Sequence, residues 1–323
     1  MKINETPKKP VKLAVIGAGH MGKYHINICS LLQEVELVAV VDKDINKLKE
    51  IQERYEVPVY TDYGEISGKA EAAIVATPTS THFQIAKKLL ENGINLLVEK
   101  PITTSSGEAE ELFDLARKKE LVLMSGHVER FNGAVQELRK IVKSPYIIET
   151  RRLGPYNGRI KDIGVVLDLM IHDIDIVLSL VESDIKKISA SGGKAITEHE
   201  DYATALIEFE NGTVAVLTAS RVTEDKIRTL AVTQEDAYIF LDYADQDITV
   251  TRSGSSGYFV SRHEIRYTQA AFIEKIYVHK ENPLKLEIQH FAKRVGERNF
   301  ENHPEKEIRA LKVAEKILSE MNL

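Results

Sequence analysis

Short apolar runs alternate with helically spaced stretches along the first third of the chain. VKLAVIG (11–17), VELVAVVD (35–42), AAIVATP (72–78), INLLVEKP (94–101) and LVLMSGH (121–127) read as strands. Between them, residues 20–32, INKLKEIQERY (45–55), STHFQIAKKLLENG (80–93) and SSGEAEELFDLARKKE (105–120) carry helical spacing. Gly93 suits a helix C-terminus, and the last of these helices has an acidic first turn and a basic last turn, which match its dipole. Strands that are apolar on both faces, separated by helices, predict a parallel sheet covered on both sides. The pattern therefore predicts a doubly wound α/β domain over residues 1–124.

The pattern changes after that point. A helix is predicted over 131–143, then a strand in YIIETRRLG, then an apolar helix over 163–182. IKKISASGG, ATALIEFENGTVAVLTAS, IRTLAVTQEDAYIFL and DITVTRS alternate or run as short strands, and Asn211-Gly212 is a hairpin signal. SGSSG (253–257) reads as a flexible loop, and two helices are predicted near 284–296 and 304–322. Residues 125–323 thus form an α+β domain with one open, mostly antiparallel sheet. An open sheet leaves a face to cover, so a homo-oligomer is expected.

Composition narrows the class. The chain has 323 residues, enough for two cores, with 43% hydrophobic and 28% charged positions. Its net charge of −6 argues against a nucleic-acid partner, which needs a basic footprint. No run approaches the ~20 apolar residues of a membrane span. The N-terminal apolar run is short and ends in a glycine turn, so it reads as a strand and not a signal peptide. The single cysteine, Cys29, forms no internal disulfide and fits a cytoplasmic setting.

Gly17-Ala18-Gly19-His20-Met21-Gly22 follows the first strand and opens the first helix. In that context the G-x-G-x-x-G spacing has specific physical roles. Gly17 turns the chain, Gly19 admits a pyrophosphate against the backbone, and Gly22 lets helix and strand close up. Free N–H groups at the helix start face the phosphates. Asp42 ends the second strand about 20 residues after the last glycine, where a carboxylate accepts from ribose hydroxyls. It repels a 2′-phosphate, which Lys43 only partly offsets, so NAD is the expected cofactor. Thr77-Pro78 and the nearby His82 are expected along the cofactor groove, with Glu99 and Lys100 at the end of a central strand.

Pro101 holds Lys100 in extended geometry and admits a cis bond. A lysine there can carry a proton or polarise a carbonyl, because a neighbouring cationic nicotinamide favours its neutral form. In the helix predicted over 163–182, Asp168, His172, Asp175 and Ser179 share one stripe at i, i+4, i+7 and i+11 among apolar residues. Buried polar groups need partners, and a site is a stronger reason for the stripe than an internal network. With no further convergent ligands, no metal is expected there.

Together, GAGHMG at 17–22, the Glu99-Lys100-Pro101 triplet and the D-x-x-x-H of Asp168 and His172 resemble the Gfo/Idh/MocA family of nicotinamide-dependent sugar and polyol oxidoreductases. The resemblance implies a Rossmann domain, a C-terminal open-sheet domain, and a catalytic group of Lys100, Asp168 and His172. GHVERFN (126–132) and residues 154–177 resemble the subgroup that oxidises the 3-hydroxyl of UDP-N-acetylglucosamine. That implies a nucleotide-sugar substrate and a 3-keto product passed to an aminotransferase toward certain lipid A types. Arg130, Asn132, Arg152 and Arg159, with Lys100, Asp168 and His172, are then the expected substrate contacts, and Arg151 lies beside them. The base is either His172, or Lys100 partnered by His172. A family dehydrogenase of a free polyol such as an inositol, and a non-catalytic nicotinamide-sensing protein, are the alternatives.

Overall fold

The computed structural model describes residues 9–158, 162–260 and 265–321, with 255–260 and 265–269 as backbone only. It divides into two compact units, one of residues 1–128 with 282–315, the other of 129–281 with 316–323. The sequence divides the chain near residue 124 and does not show that 282–315 joins the first unit.

The first unit is built on six parallel strands: β1 Val11–Ile16, β2 Val35–Val41, β3 Val59–Tyr60, β4 Ala72–Val75, β5 Asn95–Glu99 and β6 Leu123–Gly126. Their order is β3-β2-β1-β4-β5-β6. The order reverses between β1 and β4, and there the strands' carboxyl ends leave a crevice for a ligand. The helices α1 His20–Cys29, α2 Ile45–Tyr55, α3 His82–Glu91 and α4 Ser106–Lys118 return the chain between strands. Each stops for a legible reason. Asp44 caps α2 by accepting from Asn46 and Lys47 N–H, Ser105 caps α4, and Gly93 at φ +80° closes α3. Strands β1, β4 and β5 are buried along nearly their whole length, as apolar runs on both faces require.

The second unit carries an eight-stranded sheet ordered β14-β13-β12-β11-β7-β10-β9-β8. Its strands are β7 Ile147–Leu153, β8 Ile185–Gly193, β9 Tyr202–Phe209, β10 Val214–Ser220, β11 Ile227–Gln234, β12 Ala237–Asp242, β13 Asp247–Val260 and β14 Ile265–Ile276. All neighbours are antiparallel except β7 and β10. Gly212, at φ +87°, turns the predicted β9–β10 hairpin. One face packs under α5 Gly133–Ile141 and α6 Ile171–Leu180 and buries Ile148, Leu217, Leu230 and Ile239. The other face leaves Tyr202, Leu206, Tyr238 and Phe240 at 36–45% exposure.

Two expectations are corrected. SGSSG is not a loop: it continues β13, and the ladder to β14 shifts register between Ser253 and Ser256. Small residues tolerate such an irregularity without losing the strand. The 163–182 segment is not one regular helix, because Val166–Met170 forms a π turn before α6.

Candidate functional site

At the end of β1 the glycine turn has the stereochemistry a dinucleotide cradle needs. Gly17 sits at φ +98°, and a Cβ there would lie 2.6 Å from the Ala76 carbonyl oxygen. A Cβ on Gly22 would lie 1.9 Å from the Gly17 carbonyl oxygen, so α1 closes on the turn only without a side chain. A Cβ on Gly19 would meet nothing within 4 Å, which leaves open room against the backbone where a pyrophosphate fits. Gly19 is also the N-cap of α1 and provides no side-chain cap, so the helix keeps its first N–H groups for a ligand. His20 is exposed and packs edge-on against Tyr24, with ring centroids 5.0 Å apart, and Met21 is half-buried.

Asp42 supports the same turn. One carboxylate oxygen accepts from Ala18 N–H at 2.6 Å and the other from Asp44 N–H at 2.8 Å. Its remaining lone pairs suit ribose hydroxyls. The residues present therefore fit NAD.

His82 departs from its expected place on the groove wall. It is 1% exposed, with Nε2 2.8 Å from the Thr77 carbonyl and Nδ1 3.0 Å from the Pro101 carbonyl. It ties the loop after β4 to the bend after β5. Thr77 accepts from Thr81 Oγ1 at 2.8 Å, and the Lys100-Pro101 bond is cis.

Lys100 follows the last residue of β5 and is half-buried. Its N–H donates to the Glu99 carboxylate at 3.2 Å, and the other Glu99 oxygen lies 2.7 Å from Nε2 of the fully buried His25. Burial pushes the Glu99 carboxyl up. The hydrogen bond and charge of His25, with the charges of Lys100 and His82, outweigh that and hold it below the usual carboxylate range. The expectation missed His25. Its signal was a histidine on the apolar side of α1, a position that needs a buried partner.

In the second unit, Asp168 lies in the π turn and His172 in the first turn of α6, both half-buried. π turns are wider than α turns and recur at functional sites. The turn is anchored by Glu200, whose backbone carbonyl accepts from Val165 N–H at 2.9 Å and whose carboxylate accepts from Val166 N–H at 3.0 Å. Gly164 lies so close that a Cβ would be 2.0 Å from the Glu200 carboxylate.

The predicted stripe is redistributed. Asp175 is 7% exposed and takes a two-pronged contact from Arg130, at 2.7 and 2.9 Å. Ser179 is exposed and accepts from Arg139 Nε at 3.1 Å. Asp173 is 1% exposed and pairs with Arg152 at 2.8 Å, while Glu129 holds the other side of that guanidinium at 3.0 Å. Arg152 also stacks over Tyr243, 4.7 Å from its ring centroid.

Three expected substrate contacts already have partners within the second unit. Arg152 is 2% exposed and spent on Asp173 and Glu129, because its position on β7 points under the helices. Burial lowers its pKa, but the two carboxylates outweigh that and raise it above the usual arginine range. Asn132 is 2% exposed, caps α5 by accepting from Ala134 N–H, and donates to Glu129 and the Tyr243 carbonyl. Arg130 is committed to Asp175. Arg151 points to the exposed face of β7, and Arg159 lies outside the described residues. Among the described residues, no cluster of three or more His, Cys, Asp or Glu side chains could hold a metal, and no helix is long and apolar enough to cross a membrane.

Comparison with known proteins agrees with both halves of this description. Residues 11–127 match the Gfo/Idh/MocA oxidoreductase family, NAD-binding Rossmann fold, and residues 135–240 match the Gfo/Idh/MocA C-terminal domain. The UDP-N-acetylglucosamine 3-dehydrogenase of Acidithiobacillus ferrooxidans is 33% identical over 76% of this chain and 78% of its own. The solved structure of that enzyme superposes with a TM-score of 0.84, covering 96% of this chain and 97% of its own at 29% identity. The scyllo-inositol 2-dehydrogenase (NAD(+)) of Bacillus subtilis is 27% identical over 87% of this chain and 85% of its own. The chain therefore belongs to the Gfo/Idh/MocA family, as an oxidoreductase whose Rossmann domain takes NAD.

Proposed function

We propose that this enzyme oxidises the 3-hydroxyl of UDP-N-acetylglucosamine to the 3-keto sugar. The observation that carries the reading is the 33% identity to a UDP-N-acetylglucosamine 3-dehydrogenase across 76% of the chain. NAD supplies the hydride acceptor. Lys100, Asp168 and His172 are the catalytic group in this reading. The carbinol C–H electron pair leaves as hydride, and the hydroxyl proton passes to His172, or to Lys100 with His172 as its partner. Lys100 stabilises the alkoxide and then the ketone oxygen, and Asp168 orients His172 or the substrate.

The 3-keto product has the carbonyl that an aminotransferase requires, so we place such an enzyme next, on the way to a 3-amino sugar of lipid A type, in the cytoplasm. Oxidation of a free polyol is the second reading, favoured by the 27% identity to an inositol dehydrogenase over 87% of the chain.

The test is NADH absorbance with purified protein, NAD and UDP-N-acetylglucosamine, with a 2-oxo acid and an aminotransferase to draw off product. NADH that requires the UDP-sugar supports the reading. Turnover of inositols or other free sugars alone replaces it with the second.

A further inference from the structure

We propose that Arg228 receives the phosphate of the anionic substrate and so separates nucleotide sugars from free polyols. This rests on the substrate class proposed above, and it assigns a residue that the sequence motifs do not mark.

Arg228 shares the parity of Leu230, Val232 and Gln234, which are buried on the helix-covered face of the second unit's sheet. Its direct partner across the β7–β11 ladder is Arg152, one residue before β7 ends and the chain enters GPYNG. Two arginines directly opposite repel each other unless both are compensated. Arg152 is compensated by Asp173 and Glu129. Of the others nearby, Arg130 is spent on Asp175, and Arg221 on Asp201 and the Ile163 carbonyl.

Arg228 differs from all of these. It is half-buried, and among the described residues its guanidinium makes no hydrogen bond and no ion pair. Burial and the charge of Arg152 lower its pKa, against the weaker opposing charges of Glu129, Asp173 and Asp168. An arginine nevertheless stays protonated. The fold thus holds a partly desolvated cation with five unspent donors, within reach of the field of Asp168. Keeping it there costs free energy that a bound anion would recover. A planar, forked donor set matches a phosphate and offers little to a neutral polyol.

The experiment titrates UDP into NAD-loaded wild type, Arg228→Leu and Arg228→Lys, and measures UDP-N-acetylglucosamine kinetics on the same proteins. Thermal melts verify that each variant is folded. Arg228→Leu is expected to weaken UDP binding about 10- to 100-fold, to raise KM similarly with kcat changed only a few-fold, and to flatten the salt dependence of binding. Arg228→Lys should recover part of the affinity, as a point charge without the fork.

Unchanged UDP affinity in Arg228→Leu overturns the inference, even if its melting temperature falls, because charge balance around Arg152 would then be its whole role. Failure of wild type to bind UDP overturns it as well. The two proposals fail separately. UDP binding that depends on Arg228 without oxidation of UDP-N-acetylglucosamine keeps Arg228 and removes the 3-dehydrogenase reading. Oxidation with the same KM in Arg228→Leu does the reverse.

Discussion

Lys100 is fixed through its main chain: β5 leads into it, Glu99 takes its N–H, and His82 holds the carbonyl of Pro101. In the proposed mechanism its side chain carries the chemistry, and Lys100→Met should lower kcat by about 10²- to 10⁴-fold with little change in NAD affinity. Steady-state rates and calorimetric titration with NAD check both parts, and a fully active variant removes Lys100 from the mechanism. The glycine turn and the positions of Asp42 and Lys100 just past β2 and β5 were legible because the local chain sets them. Arg130, Arg152 and Asn132 were not. Their distant partners, Asp175, Asp173 and the Tyr243 carbonyl, come from other elements, and no spacing rule says that an arginine on β7 meets an aspartate on α6. Asp201, by contrast, is held by local partners four to six residues before it. It is fully buried, and burial alone would raise its pKa, but the N–H groups of Ile196, Thr197 and Ala195 and the Thr197 hydroxyl lower it strongly. A folded value below the unfolded one stabilises the protein above about pH 4, and that stability is lost as pH falls toward the folded value. Asp201→Asn should therefore melt at lower temperature at neutral pH and show a shallower acid limb between about pH 4 and pH 2. Parallel acid limbs in the two proteins would exclude this role.

At the scale of elements, period 2 and period 3.6 located most strands and helices, and the misses have identifiable causes. β3 has two residues and gives no alternation to read, and it exists because β2 offers Val40 and Val41 as a template. SGSSG has turn composition but is held in the sheet by β14. The π turn was invisible because a period of 3.6 fits the apolar residues of 163–182 almost as well as the true path. What sets the turn is Gly164 against Glu200, a contact between segments 36 positions apart in sequence. Gly164→Ala would force its methyl into that carboxylate and push Glu200 off the Val166 N–H. It should cost about 1–3 kcal/mol by denaturant melts. Asp168 starts in this turn, so kcat should fall by a larger factor than stability explains, with NAD affinity intact. Wild-type kcat in a destabilised Gly164→Ala would show that the turn does not position Asp168.

At the scale of the molecule, the two family domains were foreseeable from the switch between buried parallel strands and alternating ones. The inclusion of 282–315 in the first unit was not, because helix spacing tells which face is apolar but not which sheet it covers. In the eight-stranded sheet, α5 and α6 pack over one face. On its other face Tyr202 and Leu206 of β9 and Tyr238 and Phe240 of β12 remain 36–45% exposed. Apolar side chains at alternate positions of a broad sheet make a surface of the kind that oligomers bury, where a stable interface takes about 800 Å² from each partner. We therefore expect a homo-oligomer that pairs this face with its copy in an isologous contact. Phe240→Asp places a charge within that contact while leaving the helix-covered face untouched. Light scattering should give a multiple of the chain mass for the wild type and a smaller assembly for the variant, with near-ultraviolet circular dichroism unchanged. If both proteins run as monomers, the exposed aromatics serve another purpose. If both keep the same higher mass, the subunits meet through a different surface.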